Sequence, residues 1–463
     1  MSDSTAAQSR FVDIAIVGAG ASGVMVAAHI ARQAKNVGSA IPSVLLIDPG
    51  AQPGAGIAYA TTRPEHVLNV PAASMSILPD QPEHFVRWLL AQGEPESGLA
   101  DRYIARRDYG RYLQAQLHQA QADGIALVQD RVVAIEPGLS QQLFLQSGAR
   151  IEAHSIVLAI GNCAHALPVA HDGVDVVQAW DGPALASIVA DDDVAIVGAG
   201  LSMVDAVLTL AANGHRGRID VFSRHGLAPL AHDDGHDTAE IDVDAFANVS
   251  LRQRLHHLRR YVATQDQPWQ AVMRSLRGPG QRLWQTLSRD DQARFLRHVV
   301  RYWDIHRHRI APHVGATLGR LRASGQLNLH AGRPSSLHGV DGRTVVSFVP
   351  RHESAAQFVR VDCVVNATGL ETHLGKSRDP LLRALLAEGT ARPGPHDRGL
   401  DTDSVGRIIN SSGAPSPDIY TIGTPRIGSL WETVAVPDLR VQAASLATLL
   451  LGRSATWRSD PSQ

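Results

Sequence analysis

Cysteine is almost missing from this chain. Only Cys163 and Cys363 occur, about 200 residues apart and in no C-x-x-C pair. That leaves neither a dithiol redox centre nor a zinc cluster as an expectation. An excess of one charge sign is also missing: 43 Lys and Arg stand against 45 Asp and Glu, a net charge of -2. A global positive field that would recruit nucleic acid or an anionic membrane is therefore excluded. No apolar run approaches the roughly 20 residues that span a bilayer. The opening MSDSTAAQSR lacks the charged-then-apolar layout of a secretory leader. The expectation is a cytoplasmic protein with no membrane or nucleic-acid partner. The 22 histidines include no H-x-x-x-H with a supporting acid, so no metal is expected.

What remains has the composition of an ordinary α/β enzyme, with 44% hydrophobic and 19% charged residues over 463 positions. That length implies two or three domains. Residues 12–34 read VDIAIVGAGASGVMVAAHIARQA: a β-branched strand, a G-x-G-x-x-G turn and an Ala-rich helix. Gly18 permits the tight turn, Gly20 admits a pyrophosphate close to the backbone, and Gly23 lets helix and strand pack closely. Ala21 and Ser22 open the helix, whose N-H groups and dipole suit phosphate. The following strand, SVLLID, ends in Asp48, which is placed to meet the adenosine ribose hydroxyls. It comes about 30 residues after Gly18 instead of roughly 20, a delay that the loop NVGSAIP explains. In chains with two such sites the N-terminal one usually holds FAD, so FAD is expected here.

Residues 194–210 repeat the theme as VAIVGAGLSMVDAVLTL. Gly198 and Gly200 are present, Ser202 opens the helix, and Met203 stands where the third glycine would be. The next strand ends in Ser223, Arg224 and His225 with no acid. A guanidinium forks well onto phosphate and a carboxylate would repel it, so NADPH is expected over NADH, unless Arg224 is a solvated loop residue.

SIVLAIGN at 155–162 and CVVNATGL at 363–370 are strand-to-glycine signatures that follow each motif and bracket the chain. The expected division is a first part of an FAD domain at 1–168 and an NADPH domain at 169–355. A helical insertion at about 250–325 lies within the latter, and 356–463 complete the FAD domain. The expected fold class is α/β, with two Rossmann-like dinucleotide-binding domains and that insertion. The insertion carries a dense cationic segment, Arg294, Arg297, His298, Arg301, His306, Arg307, His308 and Arg309. It is either an anion site or a helix surface paired with local acids.

GAGASG, HVLNVPAASMSILPDQPEHFVRWL (66–89), ARRDYGRYL (105–113), GAGLSMVD, HRHRIAP and IGSLWETVAVPDLRVQA (427–443) together resemble the bacterial YdhS-like FAD/NAD(P)-binding protein family, a relative of N-hydroxylating flavin monooxygenases. The resemblance covers nearly the whole chain. It implies that Asn69, Val70, Pro71 and Met75 approach the flavin. Asn69 would bond a ring edge or the nicotinamide, or else cap a turn before Pro71. It also implies that Arg106 and Arg107 belong to a cofactor-side motif or a structural salt bridge. Gly428, Trp431, Glu432 and Arg440 would cover the flavin pyrimidine end. Val133, Gly161, Gly369 and Gly423 complete the expected cofactor-binding set. The implied activity is NADPH-driven oxygenation of an amine or amino-acid nitrogen with molecular oxygen, through a flavin C4a-hydroperoxide. Electron delivery to a quinone, metal chelate or protein needs the same two sites and stays open, as does a nucleotide-responsive binding protein.

Overall fold

The computed structural model describes residues 10–161, 165–233, 235, 238–264 and 268–459, so Cys163 lies outside the described residues. In chain order the first stretch forms β1 (Arg10–Val17), α1 (Ala21–Asn36), β2 (Val44–Ile47), the short α2 (Gly56–Tyr59), α3 (His84–Ala91), α4 (Arg106–Ala122), β3 (Ala126–Val128), β4 (Val132–Glu136), β5 (Gln141–Leu145) and β6 (Arg150–Leu158). The middle stretch opens with β7 (Val176–Gln178), α5 (Gly182–Ala186), β8 (Val194–Val197), α6 (Leu201–Ala212) and β9 (Ile219–Ser223). Helices follow: α7 (Val243–Ala247), α8 (Leu251–Thr264), α9 (Trp269–Ser275), α10 (Gly280–Gln285), α11 (Arg289–Arg294), α12 (Val300–Arg307) and α13 (Pro312–Ala323). Then come β10 (Leu327–Val340), β11 (Arg343–Pro350), β12 (Gln357–Val361) and β13 (Cys363–Asn366). The last stretch adds α14 (Pro380–Ala387), β14 (Arg407–Ile409), β15 (Pro415–Thr421) and α15 (Val436–Ser459).

These elements gather into two compact units, one of residues 1–62, 71–163 and 371–463, the other of 63–70 and 164–370. The first unit holds an eight-stranded sheet in the order β14-β15-β6-β1-β2-β3, with β5 pairing β6 and β4 pairing β5. β1 runs parallel to both neighbours, Ile14 standing opposite Val44 and Ser155. All four residues of β2 are buried, as a strand covered on both faces requires. Each such aliphatic side chain contributes about 1.5–3 kcal/mol on burial. Helix α15 lies along α1, where Gln33 Nε2 donates to the Ala444 carbonyl at 3.0 Å and Thr448 Oγ1 donates to Gln33 Oε1 at 2.9 Å.

The second unit holds seven strands in the order β12-β11-β10-β9-β8-β13-β7. β10, β9, β8, β13 and β7 are mutually parallel, and β10 to β12 form an antiparallel meander. Helices α7 to α13 intervene between β9 and β10. The chain is thus α/β, with two Rossmann-like units and a helical insertion in the second. No helix among the described residues is long and apolar enough to cross a membrane.

Candidate nucleotide sites

In the first unit Gly18 adopts a φ of 105°, a conformation costly for any side chain, and a Cβ there would collide with the Ala159 carbonyl on the neighbouring strand. A Cβ on Gly23 would strike the Gly18 carbonyl oxygen, so α1 rests directly on the turn. Gly20 is the N-cap of α1, with no capping side chain and no acid in the first turn. The first N-H groups of the helix therefore face outward with an uncompensated positive dipole end, which fits a pyrophosphate. Asp48 ties this turn together. Its Oδ2 accepts from Ala19 N and its Oδ1 from Gly50 N, each at 2.7 Å. A second glycine loop, unforeseen from the sequence, abuts the first: Gly54 N donates to the Ala19 carbonyl at 2.7 Å, and a Cβ on Gly56 would sit 3.3 Å from Gly20 Cα. Its signal was PGAGIAY, directly after the second strand.

The returning C-terminal stretch reaches the same turn. Gly423, with a φ of 77°, lies so close to α1 that a Cβ would come within 3.0 Å of Ser22 Oγ. The structure thus brings together Gly18, Gly20, Ala21, Ser22, Gly23, Asp48 and Gly423. Gly428 packs against the Arg398 carbonyl, Trp431 is buried, and Glu432 holds a φ of 55°. Gly161, at the end of the β6 connection, faces open space with a φ of 67°. Val133 is half-buried on β4, and Met75 is buried beyond the half-buried Pro71. Arg107, in the first turn of α4, donates to the Thr62 carbonyl at 3.4 Å, with Asp108 3.8 Å away. Arg440 on α15 donates to the Ser76 carbonyl at 3.2 Å.

The second unit repeats the turn with different chemistry. Gly198 has a φ of 109°, and a Cβ would collide with the Ala367 carbonyl. Gly200 caps α6, again without a capping side chain or a first-turn acid, and the space beside it is open. Met203 is fully buried where the first unit has Gly23. Ser202 Oγ accepts from Trp180 Nε1 at 3.2 Å. Gly369, with a φ of 89°, has its carbonyl held by His165 N at 3.1 Å.

Arg224 does not stand alone. Its neighbour Ser223 pairs with Ala331 on β10, two residues before Arg333, and the Ala331 carbonyl accepts from Arg351 N at 2.6 Å. Three guanidinium side chains thus issue from one point. Among the described residues no carboxylate pairs with Arg224, Arg333 or Arg351. Partial desolvation, then the charges of Arg333 and Arg301, lowers the Arg224 guanidinium from its usual value. Desolvation, then Arg351, Arg224, Arg301 and Arg333, likewise lowers His225. Arg301 of α12 reaches the glycine turn itself, donating to the Ala199 carbonyl at 2.9 Å and to that of Leu227 at 3.3 Å. Arg224, Arg333 and Arg351, held together without acids, suit a multiply charged anion, while Arg301 also lies 3.7 Å from Asp304. The rest of the cationic segment includes ion pairs, Arg294 with its neighbour Asp291 at 2.8 Å and Arg309 with the distant Asp233 at 3.8 Å.

Residues 63–70 belong to this second unit and include Asn69 and Val70. His66 Nε2 lies 2.9 Å from Thr209 Oγ1 and 3.1 Å from the Asp205 carbonyl, both on α6. Arg63 Nη1 donates to Asn213 Oδ1 at 2.9 Å. His232 Nε2 bonds the Asn69 carbonyl at 2.9 Å. Burial, reinforced by Arg309 and opposed by the Asn69 bond and Asp233, pushes His232 down to about 4. Neither histidine contact is signalled in the sequence, because the partners lie far away along the chain. Elsewhere in the unit, burial pushes the Cys363 thiol up to about 11, which leaves it a poor nucleophile. Among the described residues no three His, Cys, Asp or Glu side chains gather to hold a metal.

Two dinucleotide-binding units, the second lodged between stretches of the first, define the fold of two-nucleotide flavoenzymes. Residues 15–163 match the family model described as FAD-NAD(P)-binding. Comparison with the curated proteins finds no match. Among solved structures, the ornithine N-hydroxylase of Kutzneria sp. 744, with reduced FAD, NADP+ and L-ornithine, superposes with a TM-score of 0.67 at 15% identity, covering 96% of this chain and 100% of that one. L-lysine 6-monooxygenase from Pseudomonas syringae gives 0.63 at 16% identity, covering 95% and 99%. The bacillithiol disulfide reductase of Staphylococcus aureus gives 0.57 at 12% identity, covering 96% and 99%.

Two outcomes follow from these geometries. Gly198→Ala must shift backbone to relieve the collision with Ala367, so calorimetry should show a melting temperature several degrees lower and loss of nucleotide binding by the second unit. For His232 the folded-state value lies below the unfolded one. The neutral ring therefore contributes stability that is full above pH about 6.5 and lost as pH falls toward 4. Melts of His232→Gln between these limits should fall less steeply with acid than those of the natural chain.

Proposed function

We propose that this chain is an FAD-dependent, NADPH-oxidising monooxygenase that oxygenates the nitrogen of an amine or amino acid. The observation that carries this reading is the whole-length correspondence of fold with the ornithine and lysine hydroxylases, which exceeds that with the disulfide reductase. The distant pair of cysteines and the raised Cys363 thiol weigh against thiol chemistry.

FAD in the first unit would supply the redox chemistry, taking electrons from NADPH and activating dioxygen. The residues' part is to bind and orient. The α1 N-terminus and Gly20 would hold one pyrophosphate, with Asp48 oriented toward the ribose by its two amide bonds. The α6 N-terminus and Gly200 would hold the other. Arg224, Arg333 and Arg351 would clamp the NADPH 2′-phosphate. The Asn69 carboxamide would meet the nicotinamide or a ring edge of the flavin. Gly428, Trp431 and Glu432 would close over the flavin pyrimidine end.

Arg224→Ala should raise KM for NADPH by about tenfold or more, the worth of one charge-assisted contact, and leave KM for NADH almost unchanged. An equal effect on both overturns the phosphate assignment. Protein purified with FAD and given NADPH should consume oxygen and convert a primary amine, with L-ornithine, L-lysine and cadaverine as first probes, to a hydroxylamine seen by mass spectrometry. Stoichiometric hydrogen peroxide with every amine would instead favour an NADPH oxidase or reductase.

A further inference from the structure

We infer that His66 and His232 are positioning residues that hold the 63–70 segment on the framework of the second glycine turn, so that nucleotide bound at that turn is transmitted to Asn69. The inference rests on the reading of that turn as an NADPH site.

The segment lies along one stripe of α6. Asp205, Thr209 and Asn213 follow one another at four-residue intervals, which places them on one helical face. His66 meets the first two through Nε2, and Arg63 meets the third. His66 is 6% exposed and Thr209 fully buried, so this contact is made away from water. The same helix begins at Gly200, where the phosphate would bind. A second route leads from the turn to Asn69. Arg301 of α12 holds the Ala199 carbonyl, and the Ile305 carbonyl, one turn further along α12, accepts from Leu230 N at 3.2 Å. Leu230 and His232 then exchange backbone bonds with Ile310 at 3.0 and 2.9 Å, and His232 reaches the Asn69 carbonyl. The Asn69 backbone is thereby fixed. Among the described residues nothing bonds its carboxamide, which stays available to a ligand. A segment that only filled space would not require two polar anchors leading from the same turn.

Hydrogen exchange on the full FAD-loaded chain tests this, with NADP+ as the probe and calorimetry reporting its binding. NADP+ should slow exchange across residues 66–70. His66→Ala and the near-isosteric Thr209→Val should abolish that protection while NADP+ affinity changes by less than about fivefold, below an ordinary coupling free energy. His66→Gln, which restores an N-H donor, should recover it. In steady state both disruptive variants should lower kcat and leave KM for NADPH nearly unchanged. Binding without protection in the natural chain, or protection that survives both variants, overturns the coupling. Calorimetry that finds no NADP+ binding at all overturns the NADPH reading on which it rests.

Discussion

Among the described residues, the helices α1 and α6 each begin on a glycine with no side chain to cap their first N-H groups. A helix usually opens on Ser, Thr, Asp or Asn, whose side chain accepts one of those hydrogen bonds. α1 and α6 instead open on Gly20 and Gly200, with no cap and no first-turn acid. Asp379 caps α14, Asp242 α7 and Ser288 α11 in the ordinary way, while α3, α4, α9, α10 and α13 also open without a capping side chain. What distinguishes α1 and α6 is a glycine N-cap in a tight turn directly after a strand. Such an opening leaves a positive pole suited to an anion, with no side chain on the first residue to block the backbone.

Around this shared constraint the two units diverge in charge. In the first, Asp48 ends the second strand and spends both oxygens on the amides of Ala19 and Gly50, which stiffens the turn and keeps a carboxylate beside it. In the second, the corresponding strand end offers Arg224, and the β9–β10 register brings Arg333 and Arg351 to it without acids. A ligand ending in ribose hydroxyls suits the former and one with an additional phosphate suits the latter. Packing differs in the same sense. Gly23 lets α1 touch the Gly18 carbonyl, whereas Met203 occupies the equivalent place under α6.

Much of this was legible in the sequence because its causes are local. Gly18 and Gly198 are required by a positive φ and by the Ala159 and Ala367 carbonyls that a Cβ would strike, and both requirements leave glycine at a fixed offset from the strand. Arg224 was legible because it follows a strand directly. Arg333 and Arg351 were not, since only the pairing of Ser223 with Ala331 makes them neighbours. The cationic segment could be read from sequence only as one of two alternatives, because some of its partners lie elsewhere along the chain. Its members go to different places: Arg294 and Arg309 turn to Asp291 and Asp233, and Arg301 joins the glycine turn.

The segment 63–70 shows the same principle at the scale of a domain. Its sequence lies between stretches of the first unit, and the family resemblance is what implied that Asn69 approaches the flavin. Its polar contacts lie within the second unit. Arg63, His66 and Asn69 each bond residues more than a hundred positions away, on α6 or beside α12. A buried imidazole that lost its oxygen partners would leave a desolvated donor, at a cost of about 1–3 kcal/mol. That penalty resists detachment of the segment from α6 more than any local turn preference does. A residue suited by its free carboxamide to meet a cofactor is thus oriented by the unit that would bind the electron donor.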